Sequence, residues 1–165
     1  IITIIIGGPN KYYDYSENQT NIMFNKIKNI FTPDKYKIIV ITSYRTPQIV
    51  SKKIFNIFSH NHLVVKTVDK NAYLSSLSLA DIIVVTCDSI SMISEAAITG
   101  KPIYVAHMLP KKNNYRFERF FNQFRKLGII RDLEESIDLW SYNQLDEVNL
   151  LAPIIKEKMK KNGII

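Results

Sequence analysis

With 165 residues and 46% hydrophobic content, the chain has room for one ordinary domain with a packed core, and it is neither disordered nor fibrous in composition. Its longest apolar run, residues 1–6 with Thr3 inside it, is far shorter than the ~20 residues of a membrane span, and no basic lead-in marks it as a signal peptide. The single cysteine, Cys87, excludes an internal disulfide and fits a reducing, cytoplasmic setting. The net charge of +7 leaves phosphate ligands, an anionic membrane surface or nucleic acid as partners to weigh.

Five β-rich runs occupy residues 1–6, 37–42, 63–68, 82–86 and 103–107, at a spacing too long for hairpins. Most are near-continuous Ile and Val, the pattern of parallel strands buried on both faces. Between the first two, residues 21–31 place Ile22, Met23, Ile27, Ile30 and Phe31 at helical spacing. Thr46 and Pro47 predict an N-cap and a first helical residue for a helix running to about Phe58. Helices over 72–79 and 91–99 follow, the second closed by Gly100 with Pro102 just beyond. After the fifth strand, residues 115–127 predict a helix with Phe117, Phe120, Phe121, Phe124 and Leu127 on one stripe, which is core packing. A last helix over 145–161 contains Pro153, where it kinks or begins.

This alternation predicts a Rossmann-like, doubly wound parallel sheet of five to six strands with flanking helices, as a single domain over residues 1–165. The chain starts without methionine and enters a strand at once, so the expectation is a C-terminal piece of a two-domain protein. Six basic residues and one acid, Glu118, fall within residues 111–126. They lie largely on an amphipathic helix and match no nucleic-acid motif, so nucleic acid is not an expected partner.

In open α/β sheets, ligands bind beyond the carboxyl ends of the strands. That rule selects Gly7, Gly8 and Asn10 after the first strand, Ser43 and Arg45 after the second, and Asp88, Ser89 and Ser91 after the fourth, with Glu95 on the helix they open. Paired glycines let backbone amides approach a phosphate, although any tight turn uses them as well. Arg45 precedes a helix N-terminus, where a guanidinium can clamp an anion. Hydroxyls at a helix start suit a pyrophosphate, though they are also ordinary caps. Glu95 is too far from Asp88, Ser89 or Ser91 to complete a capping box, and with Ser91 at i and i+4 it can face a ribose. His60, His62 and His107 lack metal-ligand spacing, and no metal or cofactor is implied.

The run Ile4-Ile5-Ile6-Gly7-Gly8-Pro9-Asn10, the turn Thr42-Ser43-Tyr44-Arg45-Thr46-Pro47, residues 86–102, and Arg116-Phe117 through Gly128 and Arg131 together resemble the mitochondrial-fission "elongated mitochondria" (ELM) family, as found in plants and bacteria. The resemblance runs from Ile1 to about Leu133. That family is similar in turn to the GT-B glycosyltransferases, whose C-terminal domain holds a nucleotide-sugar donor. The resemblance implies that Glu95 meets the ribose, that Gly7, Gly8, Ser89 and Ser91 lie near the diphosphate, and that Arg45 is a further anion contact. Cys87-Asp88-Ser89 stands where many transferases have His-x-Gly. No catalytic residue is assigned. The expected function is therefore nucleoside-diphosphate or nucleotide-sugar binding by a glycosyltransferase-related domain. The alternative is a non-catalytic domain that recruits a protein or membrane partner.

Overall fold

The structure is a computed structural model that describes residues 1–65 and 69–165. Residues 2–6, Ile-Thr-Ile-Ile-Ile, are buried on both faces, and the one hydroxyl among them, Thr3, is satisfied by the Ser76 carbonyl at 2.8 Å. This strand, β1 (Ile2–Ile6), pairs in parallel with β2 (Ile38–Thr42) on one side and β4 (Ile82–Thr86) on the other. β3 (Leu63–Val65), β5 (Ile103–Ala106) and β6 (Ile130–Asp132) complete a six-stranded parallel sheet in the order β3-β2-β1-β4-β5-β6. The expectation of a third strand reaching residue 68 extends past Val65 into residues 66–68, which lie outside the described residues.

The helices α1 (Glu17–Ile30), α2 (Gln48–Phe58), α3 (Lys70–Leu79), α4 (Ile90–Ala97) and α5 (Tyr115–Lys126) make the crossovers. From β1 the chain winds outward to β3; from β4 it winds the other way to β6. Crossovers of one hand wound in opposite directions put α1 and α2 on one face of the sheet and α4 and α5 on the other. The point of reversal is the pair β1/β4, and the loops leaving their carboxyl ends therefore splay apart. Phe24, Ile27, Ile54, Phe58, Ile93 and Phe121 are wholly or almost wholly buried against this sheet.

The sixth strand is short and mixed, Ile-Arg-Asp, and carries little pattern of its own. Thr46 does not cap α2. Its hydroxyl lies 3.1 and 2.5 Å from the carbonyls of Ile6 and Gly7, tying the β2 turn to the end of β1, and Pro47 takes the cap position instead. The last helix, α6 (Glu147–Lys161), holds Pro153 inside it and leaves Leu150, Leu151, Ile154 and Ile155 exposed. No helix among the described residues is long and apolar enough to cross a membrane.

Candidate functional site

The carboxylate of Asp88, just past β4, is fully buried and is the hub of the strand ends. Its Oδ1 accepts the hydroxyls of Thr86 at 2.7 Å and Tyr15 at 2.5 Å, and its Oδ2 accepts the Gly8 amide at 3.0 Å and Arg45 Nη2 at 2.9 Å. Four donors occupy the four lone-pair positions of one carboxylate, so the group is saturated. Burial, and then the neighbouring Asp88 charge, hold the Tyr15 phenol far above its ordinary pKa, which keeps it a donor. Tyr15 reaches this position with φ of 58°, a left-handed conformation that a bulky residue adopts only when its surroundings impose it.

The two glycines follow from that hub. A Cβ on Gly7 would stand 2.2 Å from Asp88 Oδ2, and one on Gly8 would stand 2.1 Å from the Arg45 carbonyl oxygen. Their missing side chains make room for protein, with the Gly7 amide also donating to Thr86 Oγ1 at 2.8 Å. Asn10 is similarly occupied. Its Oδ1 accepts the amides of Tyr12 and Tyr13, and its Nδ2 donates to the Asp88 carbonyl at 3.1 Å. Arg45 spans the junction, giving Nη1 to the Gly8 carbonyl at 2.6 Å and Nη2 to Asp88, while its side chain stays 42% exposed.

Above this floor lie two neighbouring hollows. The first, about 380 Å³, is lined by Asn10, Arg45, Asp88, Ser89 and Ser91 from the expected set, together with Lys11, Tyr12 and Arg116. Ser89 caps α4, its Oγ accepting the Met92 amide at 3.4 Å, and Ser91, in the first turn, is exposed. The second hollow, about 410 Å³, is lined by Ser43, Tyr44, Asp69, Tyr73, Met92 and Glu95. Glu95 Oε2 accepts the Tyr73 hydroxyl at 2.8 Å. Burial, and then Glu95, raise the Tyr73 pKa, so the phenol holds its proton and donates.

Ser91 and Glu95, one turn apart on α4, thus line different hollows, the first touching the turn 43–45 at Arg45 and the second at Ser43 and Tyr44. Lys11, Tyr12 and Arg116 are cleft residues that sequence reasoning did not select. The basic run before and within α5 was the available signal, but nothing in it points at residues 11 and 12.

A separate cluster sits at the ends of β5 and β6. His107 Nε2 lies 2.7 Å from Asp132 Oδ1, which also accepts Arg125 Nη2 at 2.7 Å. Partial burial works to raise the Asp132 pKa, but the hydrogen bonds from Arg125 and His107 outweigh it and hold the carboxyl below its ordinary value. Cys87 is buried, accepts the Met108 amide at 3.3 Å, and is pushed by burial up to about 12, so it stays an inert thiol.

Set beside known proteins, residues 1–159 match the family model described as mitochondrial fission ELM1. The chain is 34% identical to the uncharacterised protein RP120 of Rickettsia prowazekii, over 96% of this chain and 47% of that protein. It is 29% identical to the mitochondrial fission protein ELM1 of Arabidopsis thaliana, over 99% of this chain and 39% of that protein. The chain therefore spans less than half the length of these relatives. Among solved structures, UDP-GlcNAc 2-epimerase from Neisseria meningitidis, in a crystal structure bound to UDP-GlcNAc, is similar with a TM-score of 0.50 at 13% identity, over 99% of this chain and 38% of that one. At that identity the likeness shows a shared fold of the GT-B type.

Proposed function

The chain belongs to the mitochondrial fission ELM1 family, and from that premise we propose that it binds a nucleoside diphosphate, as the free nucleotide or as a nucleotide sugar, at the carboxyl ends of β1, β2 and β4. The diphosphate lies in the first hollow, against the hydroxyl of Ser91 and the Ser89-capped start of α4, between the cations Lys11 and Arg116. The nucleoside lies in the second, with Glu95 Oε1 accepting ribose hydroxyls and Ser43 beside it. Arg45 flanks the phosphates. Gly7, Gly8, Asn10 and Asp88 act as positioning residues, because their polar groups are engaged by the protein.

The observation that carries this reading is the saturated Asp88. Four donors from three segments lock the β1, β2 and β4 ends into one rigid floor at the switch point of the sheet. Cations and hydroxyls are left above it, where an anion next to a helix N-terminus is favoured. The fold shared with an epimerase crystallised with UDP-GlcNAc supports the same ligand class. A second reading, a non-catalytic interaction domain, has one observation in its favour: Arg45, the residue best placed to clamp an anion, is neutralised by a buried carboxylate of its own.

Calorimetric titration of the chain with UDP, GDP, ADP and UDP-GlcNAc tests the proposal. Saturable binding to at least one diphosphate is expected, with the matching nucleoside weaker. No heat from any of them at about millimolar ligand, the level of roughly 4 kcal/mol of binding free energy, would leave the interaction reading standing.

A further inference from the structure

The loop between β5 and α5 and the first residue of that helix present two large apolar side chains to solvent, Leu109 at 76% and Tyr115 at 72% exposure, on either side of Lys111 and Lys112. This exposure is built into the fold. Gln19 grips the Leu109 backbone from both sides, accepting its amide at 2.7 Å and donating to its carbonyl at 3.1 Å. The Lys111 amide donates to the Tyr12 carbonyl at 2.7 Å. The same Tyr12 ring carries Lys11 and Lys112, with their ammonium groups 5.0 and 5.5 Å from its centroid.

Lys11, Lys111, Lys112 and Arg116 thus gather at one place, and none takes part in an ion pair among the described residues. The acids nearest in sequence are engaged by neutral groups. Asp14 accepts the Ser16 amide, and Glu118 accepts the Asn114 side chain.

We propose that this surface docks on an anionic phospholipid bilayer, with Leu109 and Tyr115 entering the headgroup boundary, Lys111 and Lys112 lying among the lipid phosphates, and Lys11 and Arg116 adding to the positive field at the rim of the first hollow. Cations alone would suit nucleic acid equally well. An exposed leucine beside a proline offers a base neither a stacking plane nor a hydrogen bond, whereas an aliphatic tip, an amphipathic tyrosine and long lysine stems suit a membrane interface. Each cation near such a surface strengthens partition roughly fivefold, and the apolar tip keeps part of the binding when salt screens the charges. Arg116 also lines the first hollow, so a docked chain holds that opening at the headgroups.

Vesicle flotation of the chain tests this independently of nucleotide binding. The wild type is expected to float with vesicles containing roughly a third phosphatidylglycerol and not with phosphatidylcholine alone, and inorganic phosphate at equal ionic strength should not release it. Lys111→Glu with Lys112→Glu should reduce partition at least tenfold. Leu109→Ser should reduce it several-fold and make the remainder more sensitive to salt. These positions are exposed, and a thermal melt of each variant confirms its fold.

The exposed helix α6 supplies the control, since it too carries lysines beside apolar residues. If Lys158→Glu with Lys160→Glu abolishes flotation while the loop variants retain it, the docking surface is α6 and the proposal falls. It falls equally if the wild type ignores anionic vesicles, if single-stranded RNA competes while Leu109→Ser has no effect, or if Leu109→Ser abolishes only self-association.

Discussion

Arg45 and Asp88, 43 positions apart in sequence, meet at 2.9 Å with the carboxylate completely buried and the guanidinium 42% exposed. The asymmetry matters, because removing either partner has a different consequence. Without Arg45, a buried charge loses its only cationic partner among the described residues; without Asp88, the Gly8 amide, Thr86, Tyr15 and Arg45 lose a shared acceptor. Breaking a buried pair by removing one member costs about 3–5 kcal/mol.

We therefore expect Asp88→Ala to destabilise the chain within that range. Arg45→Met should fall below it, at about 2–3 kcal/mol, because water can reach the vacated side. Urea unfolding of each variant measures both. An Arg45→Met chain as stable as the wild type within about 0.5 kcal/mol would mean that the pair does not hold the strand ends together.

The two glycines should respond differently to alanine. At Gly7 the new methyl meets a carboxylate, which could yield only by breaking its four hydrogen bonds. At Gly8 it meets a backbone carbonyl, which cannot yield without moving the turn 43–45. Gly8→Ala should cost about 3 kcal/mol or more, at the upper end of overpacking effects, and Gly7→Ala somewhat less. Melting temperatures that rank the other way would place the rigid element at Asp88 rather than at the turn.

The sheet could be read in the sequence because β1, β2, β4 and β5 are short Ile/Val runs bounded by turns, and parallel burial leaves little else for such runs to do. β6 could not, since Ile130 is its one buried residue, Arg131 is exposed and Asp132 is half-buried. For the site, the strand-end rule selected loops that the structure brings together at the ends of β1, β2 and β4, but it could not distinguish residues open to the hollows from those that bond to each other. Asp88 bonds to groups 43 to 80 positions away as well as to its neighbour Thr86. No local pattern encodes such contacts, so a hub reads in sequence as one more helix cap. Tyr15 gives no warning at all, because its positive φ and its link to Asp88 exist only after β1 and β4 have paired.

Asp132 predicts an acid-sensitive contribution to stability. Its folded pKa is depressed, chiefly by Arg125 and His107 acting against partial burial. A depressed carboxyl stabilises the fold above its unfolded pKa, about 4, and the benefit disappears as pH falls through the lower folded value. Asp132→Asn should therefore cost about 1 kcal/mol or less at neutral pH, as befits a half-exposed pair, and that cost should fade as pH drops from about 4 through the depressed folded value. Unfolding midpoints across that range provide the measurement, and a difference that persists undiminished into acid would show that packing, not charge, is at stake.

Glu95 offers the sharpest test of the proposed ligand, because its two oxygens do different things. Oε2 is engaged by Tyr73 at 2.8 Å, which in the proposed complex leaves Oε1 for a ligand in the hollow that Glu95 lines with Ser43. Glu95→Ala removes both. If Oε1 receives ribose hydroxyls, the variant should bind a nucleoside diphosphate more weakly by ~1.5–3 kcal/mol, the usual worth of a hydrogen bond to a charged group. Its stability should fall by about 1 kcal/mol at most, the loss of the bond from Tyr73. Tyr73→Phe separates the two roles, since it removes that bond and leaves the carboxylate in place. It should share the small stability loss while binding ligand at least as well as wild type, the carboxylate no longer being divided between two donors. Titration and unfolding of both single variants and the double variant form a cycle, in which the stability effects should be coupled and the binding effect should belong to Glu95 alone. If Glu95→Ala instead matches Tyr73→Phe in both measurements, the carboxylate serves only to anchor α3 to α4, and the nucleoside has to be sought elsewhere along the strand ends.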